Sequence, residues 1–203
     1  MKEMIKNTFI LLVITMVAGV LLGVVNDNTK DLIADRQAQE ELAAYKAVFS
    51  DASQFKPVEG FMNDSVIASL SDNGYLAESI DELYEAVAGD SSILGYVFKI
   101  TTHEGYGGDI VFTMGVRNDG KLNGISILTI SETAGLGMEA EKVLQPQFAG
   151  KQAESFVYTK TGAAEDNEID AISGATITTN AITNGVNAGL YYFKEYLGGA
   201  DNE

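Results

Sequence analysis

The chain has 203 residues, enough for one ordinary domain with an appendage, and it carries no cysteine and a single histidine, His103. These counts exclude disulfides, an iron–sulfur cluster on the chain's own thiolates, a zinc site of several His or Cys ligands and a Cys–His catalytic pair; redox chemistry here requires an organic cofactor. The formal net charge of −16 argues against nucleic-acid binding, which needs a basic face, and suits an acidic, solvated surface.

The first predicted element is a membrane span. Thr8 to Val25, "TFILLVITMVAGVLLGVV", is free of charge. As a helix it extends roughly 27 Å at about 1.5 Å per residue, close to a bilayer core. Lys2 and Lys6 precede it, with Glu3 partly offsetting them, and Asp27 and Asp31 follow. The positive-inside tendency puts the N-terminus in the cytoplasm and everything after Val25 on the other side. Residues 1–26 then form a single-pass anchor in the cytoplasmic (inner) membrane. A cleaved signal peptide is the alternative; "LLGVVNDN" offers no good cleavage site for it.

Beyond the span, "DLIADRQAQEELAAYKAVF" predicts a helix from about Leu32 to Phe49, rich in Ala, Glu, Gln and Leu. "SIDELYEAV" predicts a short helix from Ser79 to Val87 with a capped start. Residues 27–92 thus read as a helical stalk and the first part of the extracytoplasmic region. The period then changes. Ile93–Thr102 and Gly108–Ser131 are β-rich runs, the second divided by the turn Asn118-Asp119-Gly120. A short helix is predicted from Met138 to Leu144, and another β-like run from Glu154 to Lys160. The last helix runs from about Thr178 to Leu197, with Ile182, Val186, Leu190, Phe193 and Leu197 on one face. Residues 93–203 therefore read as one α+β domain, an antiparallel sheet with flanking helices.

Three clusters of glycines and polar side chains could carry chemistry. "HEGYGGDI" (His103–Ile110) places Tyr106 before two glycines at a strand end; taken alone it reads first as a bulge or hairpin turn. "SETAGLGMEA" (Ser131–Ala140) follows a β-run and precedes a helix, with Leu136 between Gly135 and Gly137. It suits a wall for a flat ring, or a glycine-rich turn capped by Thr133 or Ser131. "DAISGATITTNAIT" (Asp170–Thr183) gathers small residues and hydroxyls at a helix mouth. Unpaired backbone N–H groups and the helix dipole make such a mouth an anion site. Competition among Ser173, Thr176, Thr178 and Thr179 to cap the helix is the other explanation. A hydrolase using Ser173 or Thr176 has no general base nearby in sequence. No catalytic residue and no metal ligand is assigned.

Together the three clusters resemble the FMN-binding domain family. "D-A-I-S-G-A-T" (Asp170–Thr176) is similar to its flavinylation motif. "SETAGLG" resembles a loop that usually reads E-T-P-G-L-G, with Ala134 in the proline's place. "GYGGDI" and "QPQFAGK" (Gln145–Lys151) match in order and spacing. The resemblance implies covalent FMN on Thr176 through a phosphoester. It implies that Ser173, Gly174 and Ala175, in a motif opened by Asp170, are recognised by a separate flavin transferase. It also implies that Glu132, Thr133, Gly135 and Leu136 lie near the flavin ring.

One N-terminal span followed by one such domain is similar to the G subunits of Rnf ferredoxin:NAD oxidoreductase complexes. It is also similar to the C subunits of sodium-translocating NADH:quinone reductases; the compact length favours the first. The implied function is electron relay within an Rnf-type membrane complex that couples ferredoxin:NAD electron transfer to ion translocation, with the other subunits as partners. The chain itself would bind neither NAD nor ferredoxin, since no dinucleotide fingerprint or basic docking face is present. Two other readings stay open: an independent extracytoplasmic flavoprotein, and an anchored non-redox binding module whose helix is merely capped.

Overall fold

A computed structural model of the chain describes residues 1–61 and 63–198. The chain divides into two compact units, Met1–Glu41 and Leu42 onward.

The first unit is helical from Lys2, the larger part of α1 (Lys2–Val48). Phe9, Leu11, Ile14, Leu21 and Leu22 are each more than half exposed around it. A helix that is apolar on every side needs an apolar surrounding, and this one is long enough to cross a membrane. The sequence predicts a separate helix from Leu32, but α1 does not break. Its polar step is satisfied from within: Asn28 Nδ2 donates to the Val24 carbonyl (2.7 Å) and Thr29 Oγ1 to that of Val25 (2.9 Å). Lys30 reaches Asp27 at 3.2 Å. With neither glycine nor proline between Val24 and Phe49, nothing terminates the helix.

The second unit is built on a five-stranded antiparallel sheet in sequential order. Its strands are β1 (Gln54–Pro57), β2 (Glu78–Val87), β3 (Ile93–Thr102), β4 (Ile110–Arg117) and β5 (Leu122–Thr129). The helix α2 (Asn63–Asp72) joins β1 to β2. After β5 come a 3₁₀ turn (Gly137–Glu139) and two short helices, α3 (Ala140–Val143) and α4 (Gln145–Phe148). A small parallel pair follows, β6 (Val157–Thr159) with β7 (Glu168–Asp170), and then α5 (Thr176–Tyr196). The α+β class is therefore as the sequence predicts, with antiparallel hairpins and helices packed on them.

Both faces of the sheet are covered. Phe98, Ile100, Phe112, Met114 and Val116 point to one face and are fully buried with Ile182, Val186 and Phe193 of α5. Tyr45 and Val48, from the end of α1, cover the other face with Phe49, against Ala86 and Val97. The helix α5 packs closely because Gly189 has no side chain; a Cβ there would overlap Met114 Sδ.

The helix predicted over Ser79–Val87 is instead β2. Ile80, Leu83 and Ala86 are buried at spacings of three, which imitates a helical stripe. The first spacing comes from a register shift between Ile80 and Glu82, where Asp81 is the extra residue and advances the two-residue alternation by one. The second joins opposite faces: Leu83 packs in the core beneath α5, and Ala86 packs with Tyr45 and Val48 on the other face.

Candidate functional site

The sheet brings the three polar–glycine clusters to one place. The ends of β3 and β5 and the start of α5 border an open cleft of about 530 Å³. Tyr106 contributes from the first cluster, Glu132, Thr133, Leu136 and Gly137 from the second, and Gly174 to Thr178 from the third. Hydrogen bonding and packing tie the loops together. The Gly107 N–H donates to Glu132 Oε1 at 3.2 Å. Leu136 lies over Gly174, where a Cβ would be 3.0 Å from its Cδ2. Gly174 itself has φ +76°, a conformation that favours glycine.

Thr176 is the first residue of α5 rather than the residue before it; Ala175 occupies the N-cap, with no side-chain capping bond. The competition among hydroxyls to cap this helix is thus absent. Thr179 Oγ1 instead accepts the Ile172 N–H (3.1 Å) and donates to the Ala175 carbonyl (3.0 Å), and Thr183 Oγ1 donates to the Thr179 carbonyl (2.8 Å). Thr176 and Thr178 line the cleft, and neither hydroxyl has a hydrogen-bond partner among the described residues. The first helical backbone bond runs from Thr179 N–H to Ala175. The amides of Thr176, Ile177 and Thr178 therefore lack an intrahelical acceptor and favour an anion.

The remaining expected residues support the cleft from outside its lining. Asp170 ends β7; its Oδ1 accepts from Ala163 N–H (2.6 Å) and its own N–H donates to Gln147 Oε1 (2.7 Å). It shapes the approach to the motif. Ser173 and Gly135 are exposed and are not among the lining residues. His103 is exposed and pairs with Asp109 (2.8 Å), at a turn. Four lining residues were not singled out as site residues in the sequence: Tyr106, Gly137, Ile177 and Thr178. Tyr106 and Ile177 are 71% and 52% exposed; single exposed apolar side chains are ordinary, and what marks these two is that both border the cleft. Their signal was the position of each inside a glycine or hydroxyl cluster.

Behind the cleft lies a buried acidic group. Glu78 is almost wholly enclosed, accepting from Ala77 N–H (3.2 Å) and Thr102 Oγ1 (3.5 Å). Burial pushes its carboxyl above the usual glutamate range, and the charge of Glu104 adds to the rise. Glu104 in turn accepts from Asn180 (3.2 Å) and Asn184 (2.7 Å) of α5.

This arrangement fits a flavin mononucleotide. The cleft volume is in the range of small-molecule sites, about 300–1,000 Å³. The free Thr176 hydroxyl and unpaired amides suit a phosphate, and Leu136, Ile177 and Tyr106 offer faces for a planar ring.

Comparison with known proteins agrees. An FMN-binding domain model matches residues 105–191, and a model of the RnfG N-terminal region matches residues 1–48. The chain is 32% identical over 197 residues to the G subunit of the Na(+)-translocating ferredoxin:NAD(+) oxidoreductase complex of Acetobacterium woodii, covering 95% of this chain and 93% of that one. It is 29% identical to the proton-translocating counterpart of Clostridium ljungdahlii, covering 90% and 88%. Among solved structures, the C subunit of the Na(+)-translocating NADH-quinone reductase of Parabacteroides distasonis has a similar fold. The TM-score is 0.52 at 21% identity, over 72% of this chain and 78% of that one.

Proposed function

The chain belongs to the RnfG family, the G subunits of ion-translocating ferredoxin:NAD oxidoreductase complexes, and from that premise we propose that it relays electrons through FMN bonded covalently to Thr176. The observation that carries the proposal is the Thr176 hydroxyl, which lines the cleft at a helix start and has no partner among the described residues. FMN, when bound, supplies a centre that takes up and passes on electrons one or two at a time. The chain's own residues hold it. Thr176 would hold the phosphate as an ester, and the amides that follow would stabilise its charge. Leu136, Ile177 and Tyr106 border the ring, and Glu132 fixes the loop through Gly107. A covalent tether keeps FMN from being lost outside the cytoplasm, where no pool replaces it.

Residues 1–26 serve as the membrane anchor, with 27–92 as the stalk and first part of the outer region and 93–203 as the flavin domain. The N-terminus lies in the cytoplasm, as Lys2, Lys6, Asp27 and Asp31 favour. A separate flavin transferase recognises Asp170 and Ser173–Thr176. The other subunits of the complex are the electron partners. The apolar run from Thr8 to Val25 has no ionisable side chain, so the ion path belongs to those subunits. Membranes carrying Thr176→Val should lose ferredoxin-dependent NAD reduction, while the complex still assembles. Full activity in such membranes would remove this flavin from the electron path.

A further inference from the structure

We infer that Thr178 and Glu132 act together as a donor–acceptor pair for the pyrimidine edge of the flavin ring, where an imide N–H lies beside a carbonyl oxygen. The inference rests on the flavin reading above and assigns the ring's orienting contacts within it. Thr178 is only 1% exposed, yet its hydroxyl has no partner among the described residues. No buried side-chain oxygen or nitrogen among the described residues lacks a partner, so the Thr178 oxygen is the part of the residue left open, onto the cleft it lines, whereas the hydroxyls of Thr179 and Thr183 on the same helix are bonded. Glu132 commits Oε1 to the Gly107 N–H, which leaves Oε2 available. The two atoms stand close to one point: a Cβ on Gly137 would lie 2.5 Å from Thr178 Oγ1 and 2.8 Å from Glu132 Oε2. They do not bond each other, and Gly137 is the residue type that lets them approach.

A hydroxyl that donates beside a carboxylate oxygen that accepts matches a ligand edge offering one acceptor next to one donor. The imide of an isoalloxazine is such an edge. A phosphate presents only acceptors and negative charge, so Glu132 would repel it; the phosphate belongs instead at Thr176. Charge develops on the ring carbonyl when the flavin is reduced. A Thr178 donor therefore stabilises the reduced ring and raises its potential, whereas the Glu132 carboxylate opposes added negative charge and lowers it.

The test uses the full chain, made together with a flavin transferase and purified in detergent, with the bound FMN followed by intact mass and by potentiometric titration. Thr178→Val should retain the FMN mass increment and shift the midpoint potential downward. Glu132→Gln should retain it and shift the potential upward, and Thr178→Ser should match the parent. Unchanged potentials in Thr178→Val and Glu132→Gln, or shifts of the same sign, would overturn the pairing. So would an equal shift in Thr178→Val and Thr178→Ser, which would mark a packing effect. Loss of FMN from Thr178→Val alone would assign Thr178 to attachment instead. A parent without FMN would overturn the flavin reading itself, and the pairing with it.

Discussion

Thr179 and Thr183 of α5 have their hydroxyls bonded to the backbone, whereas Thr176 and Thr178, in the first turn of the same helix, have no such bond among the described residues. One residue type in one short stretch thus has two uses. The inner pair closes the fold: Thr179 ties the strand-to-helix turn at Ile172 to the helix, and Thr183 bonds back one turn. The outer pair faces a cleft and contributes nothing to the fold by hydrogen bonding. A hydroxyl already bonded on both sides is a structural part, and one left open at a helix mouth is available to a ligand.

Substitutions can break this contrast. The largest effect on stability is expected from Thr179→Val, which leaves the buried Ile172 N–H without its acceptor. The cost should be about 1–3 kcal/mol, seen as a lower midpoint in thermal unfolding of the detergent-solubilised protein. Thr176→Val removes no hydrogen bond among the described residues and should cost clearly less, about 0.5 kcal/mol or under. Equal losses from the two would erase the distinction between the pairs. A smaller effect is expected from Leu136→Asp. It should alter the spectrum or potential of the bound flavin while leaving the proposed covalent bond in place, because on that proposal attachment depends on the Asp170–Thr176 motif. An unchanged spectrum and potential would take Leu136 away from the ring.

The smallest effect concerns Glu78, a buried group that is bonded yet ionisable. Its pKa in the folded protein is raised, first by burial and then by Glu104. Ionisation therefore costs more in the folded than in the unfolded chain. The stability linked to the protonated form is fully present below the ordinary glutamate pKa of 4.5. It is lost as pH rises through the elevated folded value. Glu78→Gln, whose amide can donate to Thr102 Oγ1, should unfold at a higher temperature than the parent near pH 7 and at a similar one near pH 4. A gap that stays constant across that range would contradict the assignment.

The sequence pointed to much of the cleft lining, and less fully to the fold around it. The strands from Ile93 to Thr129 and the apolar face of α5 follow simple periods, so both were legible. β2 was not, because one bulge at Asp81 and burial on both faces of the sheet give a spacing of three that imitates a helix. The short β1 and β7 and the helix α2 were also missed; each depends on pairing or packing with distant residues more than on local pattern. Of the cleft lining, Thr176, Gly174, Glu132 and Leu136 are legible because each stands in a glycine–hydroxyl motif. Thr178 was visible only as one hydroxyl among several. What distinguishes it from Thr179 is the direction each side chain takes on the helix, and that appears once α5 is seated against the loop at Gly137.

The central claim is that Thr176 carries the flavin. The most direct measurement is mass spectrometry of the peptide containing Thr176, from the full chain produced with an active flavin transferase, in the parent and in Thr176→Val. The account predicts an FMN increment on Thr176 in the parent and no increment on any residue of the variant. FMN on Ser173, Thr178 or Thr179, or a parent peptide without FMN under those conditions, would contradict it.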